Sequence, residues 1–490
     1  MMHPVKRARR WISLAAIALL TVACSNGDGL DLEIPLAEQP QWLTYAGGPQ
    51  RTFFNSDETQ ITRDNVHELA ILWTFPTGAI ITASPTVAQL DLPEGRRAVV
   101  YVQSWDGYMY AIKAATGEEL WRFQTRPQEV SFPNTGSVHV GKGQGVDAVL
   151  FGAAQRFYAL NALTGEELWT FDAGTGCRNG VLDCNYHGER NQIESSPIIA
   201  DGKVFFGMDV DDKERVESDD PALAYEGGKG GFYALDVDTG YMAWFFDLES
   251  GQTCYPDPGD NITHYDGYHS LEALGLDLVD PDWFNTRKGC NHPRNRNGCG
   301  NVWSSAAVDL GRSTLYFASS NCDSEAEDVS FRPGPIMPPH DCAITALTLD
   351  GSLAWTWRPR EIDNGDLSFG AVPNLFQIQT TTIPGGEAIT VDVVGVGSKD
   401  GTYYVMDREG INKRYTEQVV DHRSADFLYW STKVVPGGSF SGIIATAAVD
   451  QQRERVYFSS PYQSLTNPQR PNVHALAINT GAVVWQRELP

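Results

Sequence analysis

Apolar and polar residues alternate through FYALDVDTGYMAW (232–244), break at Thr239-Gly240, and resume until they end on a tryptophan. A period of two marks a half-buried strand, and a glycine between two such runs supplies the positive φ that a tight hairpin needs. The same pattern recurs at MYAIKAATGEELW (109–121), FYALNALTGEELW (157–169), ITALTLDGSLAW (344–355) and VHALAINTGAVVW (473–485). YYVMDREGINKRY (403–415) is a further version, with Tyr415 in the place of the tryptophan. Each unit reads as two adjacent strands closed by a large aromatic, free to pack on the neighbouring unit and burying on the order of 200 Å² there. The closing aromatics lie 48, 75, 111, 60 and 70 residues apart. The shortest spacing fits a four-stranded propeller blade of about 40–50 residues, and the longer ones fit a blade plus loop insertions. Other strand-like runs, AVVYVQS (98–104), KVFFGMD (203–209), STLYFASS (313–320) and RVYFSSP (455–461), fall between the copies, and no long amphipathic helix is written. The expected fold is an all-β propeller of four-stranded blades locked by tryptophans, with six blades visible.

The first residues read differently. Lys6, Arg7, Arg9 and Arg10 precede an apolar run from Trp11 to Val22, the layout of a secretory signal peptide over residues 1–23. Leu20-Thr21-Val22-Ala23-Cys24 resembles a bacterial lipoprotein signal, in which Cys24 would carry the lipid, although the usual leucine lies one position closer to the cysteine. Ordinary cleavage after Ala23 is the alternative. Residues 24–41 then read as a polar tether and 42–490 as the propeller. The formal net charge of −25 sets nucleic acid aside as a partner. Seven cysteines besides Cys24 suit an oxidising compartment, though their pairing cannot be deduced from sequence. No CxxCH for covalent haem and no CxxC or HExxH for zinc is present.

The A-x-D-x-x-T-G-x-x-x-W form of these units resembles the blade signature of the pyrroloquinoline quinone (PQQ) repeat propellers. WLTYAGGPQRTFFNSDETQITRDNVHELAILWTF (42–75) is similar to the start of the quinoprotein alcohol dehydrogenases. The resemblance implies eight blades, so a chain with six reads as C-terminally truncated, the alternative being a circle that closes with fewer blades. It also implies PQQ on the propeller axis beside a calcium ion. Such a site needs an aromatic floor, oxygen ligands, a cation by the quinone oxygens and a carboxylate base. By resemblance, Trp303 in GCGNVWSSAAVDLGRSTLYFASSN (298–321) is the floor and Asn321 a metal ligand, with Ser320 where the family has glycine. Glu226 in AYEGGKGGFYALD (224–236) matches a second metal ligand, although the loop before it is simply acidic. In WRPREIDNGDLSFGAVPNLF (357–376), Asp366 matches the catalytic base and a third metal ligand, with Asp363 as second choice; D-x-x-F-G-A is the form of polyvinyl-alcohol-dehydrogenase-type members. Lys399 in GVGSKDGTYYVMD (395–407) matches the cation by the quinone. Ser368 stands where a lanthanide-using relative would carry an extra aspartate, which favours calcium.

Gly395, Gly397 and Gly401 mimic a dinucleotide loop, but the third glycine is one residue late and no helix follows, so nicotinamide is rejected. The Cys-Cys pair that caps the quinone in many alcohol dehydrogenases is absent, as is a fused cytochrome. The expected function is an exported or lipid-anchored dehydrogenase. It would oxidise an alcohol with PQQ and calcium and pass electrons to a separate acceptor such as a c-type cytochrome. The alternative is a non-catalytic outer-membrane lipoprotein propeller that binds proteins.

Overall fold

The structure is a computed structural model. It describes residues 41–490 except 57, 126–133, 174–190, 211–213, 216–224, 227–230, 249–250, 257–300, 321–339, 341, 361–365, 382–385, 414–426, 440, 462–470 and 490. Residues 1–40, which hold the expected leader, Cys24 and all but the last residue of the expected tether, lie outside the described residues. Within them, six antiparallel sheets follow one another along the chain as blades 1 to 6, spanning 86–124, 139–172, 198–254, 307–357, 374–433 and 448–488. Each is a four-stranded meander paired in chain order, and blade 3 carries further short strands. The helical turns among the described residues are two short ones, Tyr45–Gly47 and Val66–Glu68. No helix there is long and apolar enough to cross a membrane. This is the all-β propeller expected from the repeats.

Five apolar cores fill the spaces between successive blades. Phe157 and Phe206, for example, stack at 4.3 Å between blades 2 and 3. The tryptophans then lock each blade to the next. Trp73, Trp121, Trp169, Trp244, Trp355 and Trp430 donate their indole N–H to the carbonyls of Ala114, Ala162, Val237, Leu349, Arg408 and Ile478, at 2.8–3.2 Å. Each ring lies on the hairpin glycine of the following blade, such as Gly165, where φ is +73° and a Cβ would fall 2.7 Å from Trp121. Glycine is required there twice over, for the turn and for the close approach.

One expectation is corrected here. The locking aromatic of blade 5 is Trp430, not Tyr415, which lies outside the described residues. The last hairpin of that blade runs from Asp407 to Leu428, so an insertion separates the turn from its closing strand. At the other extreme, Trp485 on the final strand of blade 6 is 40% exposed.

The first strands of neighbouring blades lie beside one another and are therefore the innermost. Residues 42–52 run along them in chain order. Trp42 pairs with Val87, the Leu43 carbonyl accepts from Val140 N–H, and the Thr44 hydroxyl donates to the carbonyl of Pro197. The carbonyls of Pro49, Gln50 and Thr52 accept from the amides of Val308, Leu375 and Val449. One short strap thus touches all six blades and satisfies inner backbone groups that no fifth strand could reach.

Candidate functional site

Trp303 stands in the lead-in to the inner strand of blade 4, and backbone bonds hold that lead-in from both sides. Val302 N–H donates to the Met208 carbonyl of blade 3 at 3.0 Å, while the Asn301 carbonyl accepts from Ser320 N–H at 2.7 Å. Ser304 Oγ donates to the Ala318 carbonyl at 2.8 Å. The ring is left partly exposed, unlike the locking Trp169, Trp244, Trp355 and Trp430, which are buried between blades. Its six-membered edge lies against Gly370, where a Cβ would come within 2.4 Å of it.

Gly370 belongs to the segment that carries Asp366. Asp366 takes a left-handed backbone, φ +48°, a conformation that aspartate tolerates better than most residues. The same segment grips the Lys399 turn, through Lys399 N–H to the Ser368 carbonyl at 2.9 Å and Ser398 Oγ to the Leu367 carbonyl at 3.0 Å. On the other side Gly442 packs so closely that a Cβ would fall 2.1 Å from the Lys399 carbonyl. The lysine's backbone is therefore fixed, and its side chain converges on the other two residues. Lys399 Nζ is 2.8 Å from Asp366 Oδ1 and 5.6 Å from the centroid of the Trp303 ring, within cation–π range.

Beneath the trio, Ser368 Oγ lies 2.9 Å from Ser320 Oγ and 3.5 Å from Asp366 Oδ1. Three of the residues singled out in the sequence thus meet, although they come from two blades and are separated by up to 96 positions. Asp363 and Asn321 lie outside the described residues. Glu226 is described only by its backbone, paired with Glu214 in a two-stranded ribbon.

The sequence reading missed the group that braces the lysine turn. Asp400 is buried, accepts the Tyr404 hydroxyl at 2.5 Å and Thr402 N–H at 2.8 Å, and pairs with Arg360. Burial and the neighbouring Asp400 push the Tyr404 hydroxyl far above the usual tyrosine range. A signal was present in the chain. Ser104-Trp105-Asp106-Gly107-Tyr108-Met109-Tyr110 in blade 1 repeats the layout, with Tyr110 Oη donating to Asp106 Oδ2 at 2.8 Å and Tyr108 N–H to Oδ1 at 3.1 Å. The shared Asp-Gly-x-x-Tyr marks a hairpin brace, and the residue before it, Trp105 or Lys399, is the one that differs.

Trp-locked blades, with Trp303, Asp366 and Lys399 gathered where the lead-ins of blades 4 and 5 meet, define a repeat propeller with a candidate site at the head of its inner strands. The chain belongs to the PQQ family described as the glucose/ethanol/alcohol dehydrogenase β-propeller domain, which it matches over residues 42–410. It is 25% identical over 402 residues to quinohemoprotein alcohol dehydrogenase ADH IIB of Pseudomonas putida, covering 81% of this chain and 50% of that protein. To the polyvinylalcohol dehydrogenase of a Pseudomonas species it is 23% identical over 474 residues, 93% of this chain and 61% of the relative. A solved europium-containing methanol dehydrogenase shares the fold with a TM-score of 0.56 at 17% identity, covering 91% of this chain and 78% of that one. The chain spans about half the length of the first curated relatives it matches.

Proposed function

We propose that this protein oxidises an alcohol with PQQ and a calcium ion, and that its electrons leave to a separate acceptor such as a c-type cytochrome. The observation that carries the reading is the single ammonium of Lys399, poised both on Asp366 and over the face of Trp303. The donor set suits a flat, anionic quinone. Trp303 offers a partly exposed aromatic ring whose six-membered edge is held against Gly370. Lys399 supplies positive charge and N–H donors, and its clamped backbone keeps them in place for charge that develops during reaction. PQQ, when bound, supplies the quinone that takes two electrons from the alcohol. Asp366 would take the hydroxyl proton, at an oxygen within hydrogen-bond reach of Lys399.

For the metal we assign oxygen ligands to Asp366, Asn321 and Glu226. Asn321 follows Ser320 directly, and Ser320 touches Ser368, two residues from Asp366. With a serine rather than a second carboxylate at 368, the set carries less charge than a trivalent ion calls for, and calcium fits it better. Secretion under the 1–23 leader, with lipid on Cys24, belongs to the same proposal. Family membership weighs against the non-catalytic scaffold.

The deciding experiment compares parent and Asp366→Asn for dye reduction with PQQ, calcium and mixed alcohols, following tryptophan quenching by PQQ in parallel. The variant is expected to lose at least about 100-fold in turnover, typical for removal of a general base, while quenching persists. Dye reduction within twofold of the parent would sink the assignment. Chelation should abolish turnover and calcium restore it.

A further inference from the structure

Arg51 has no role in the chemistry proposed above, yet it is the largest charged side chain fully enclosed in the fold, with 0% of its surface exposed. All five of its N–H donors are used. Nε donates to the Ala306 carbonyl at 2.8 Å, Nη1 to Thr44 Oγ1 at 2.9 Å and the Tyr45 carbonyl at 2.6 Å, and Nη2 to the carbonyls of Ser196 at 3.3 Å and Pro197 at 3.1 Å. None of these acceptors is a carboxylate. A guanidinium buried without a counter-ion is costly, and the fold retains it where an uncharged strap could have filled the same space.

What it grips is informative. Ser196 and Pro197 are the lead-in of blade 3, and Ala306 is the lead-in of blade 4, three residues beyond Trp303. The same two lead-ins are joined directly by Ser196 N–H to Ser305 Oγ at 2.8 Å. The carbonyl of Arg51 accepts from Asn374 Nδ2, at the inner strand of blade 5, which is the blade that supplies Asp366 and Lys399. One residue therefore connects the blade holding the aromatic floor to the blade holding the carboxylate and the lysine. Its backbone is left-handed, φ +56°, which turns the side chain toward blades 3 and 4 while the carbonyl faces blade 5.

We propose that Arg51 is a positioning residue for the cofactor site, its fork fixing the Trp303 lead-in of blade 4 against blades 3 and 5. The proposal rests on the quinoprotein reading for its meaning, but its test does not. Arg51→Met removes the fork and keeps much of the volume. Arg51→Lys keeps the charge, but one ammonium cannot reach carbonyls on two blades in the geometry of a planar fork. Thr44→Val removes one acceptor of the fork together with that hydroxyl's own bond to Pro197, and is the mild variant should the others fail to fold.

Two readouts are taken on the full chain, hydrogen–deuterium exchange by peptide and titration with PQQ plus calcium followed by tryptophan quenching. Arg51→Met and Arg51→Lys are expected to speed exchange in 195–198 and 301–308 at least tenfold, with strands of blades 1 and 6 unchanged. They should also weaken PQQ at least tenfold, and Thr44→Val should act in the same direction and less. Exchange and affinity within twofold of the parent would overturn the proposal, as would exchange raised evenly through all six blades. If the parent itself shows no quenching by PQQ, the quinoprotein reading fails. The exchange arm still decides whether Arg51 holds the Trp303 lead-in.

Discussion

Gly370 shows how much of the site depends on one missing methyl. Its backbone is not in the left-handed region, so turn geometry does not explain it; the Trp303 edge does, with Ile444 Cγ2 only 3.1 Å from the same point. The Trp303 backbone cannot retreat freely, because its lead-in is bonded on both sides. Gly370→Ala is therefore expected to tilt the indole rather than displace the backbone. Stability should fall by about 1–3 kcal/mol, the usual cost of overpacking, and the affinity for PQQ by at least tenfold. Urea unfolding and tryptophan quenching check the two parts, and unchanged quenching would show that the ring is not the cofactor's floor. Asp366 makes the complementary case. Its positive φ explains why Asp366→Asn is the informative change, since asparagine tolerates that backbone where alanine would add strain.

At the scale of the element, the locking tryptophans allow a matched comparison. Trp430 is 8% exposed, bonded to Ile478 and seated on Gly481, whereas Trp485 is 40% exposed on the outer strand of blade 6. Trp430→Ala is expected to cost about 3–5 kcal/mol, as for other buried aromatics, and Trp485→Ala less than about 1 kcal/mol. Comparable losses by urea unfolding would mean that Trp485 is docked in solution. The same elements show what the sequence could convey. Hairpin and lock lie within about 13 residues of each other, so their pattern was legible, and it located five of the six copies correctly. In blade 5 the insertion carried the lock out of register to Trp430, and Tyr415 stood by coincidence at the usual spacing. The strap could not be read at all, because five of its six blade contacts run from its own backbone and leave no side-chain pattern. Of the site residues read from the sequence, the structure describes and brings together those whose side chains carry a candidate role in the proposed chemistry. Trp303, Asp366 and Lys399 were found, whereas Gly370, Asp400 and Arg51 act on other protein groups and were not.

Across the whole molecule, buried histidines set a response to acid that is separable from the response of the carboxylates. Burial lowers His139, in blade 2, to about 3 and His340, which lies edge-on to Phe246 of blade 3, to about 4, and it lowers His474 in blade 6 as well. These groups are neutral in the fold, while the unfolded chain takes up their protons near pH 6.5, so the unfolded state binds more protons in the interval between. Their contribution is fully present above about pH 6.5 and is lost as the pH falls toward 4, each unit of depression being worth about 1.4 kcal/mol. The ion-paired Asp309 and Asp392 are also lowered, but from an ordinary value of 3.8, so their contribution is lost below this window. A second effect opposes the histidines within it. The chain carries −25 at neutral pH, and partial neutralisation relieves self-repulsion as the pH falls. Salt separates the two, because it screens the exposed charges and leaves buried imidazoles unaffected. In high salt the urea midpoint is expected to hold above about pH 7 and to drop from there to pH 5. His340→Gln should flatten part of that slope without removing it, since His139 remains. A midpoint independent of pH over this range, or a slope identical in His340→Gln, would place the acid sensitivity elsewhere than in the buried imidazoles.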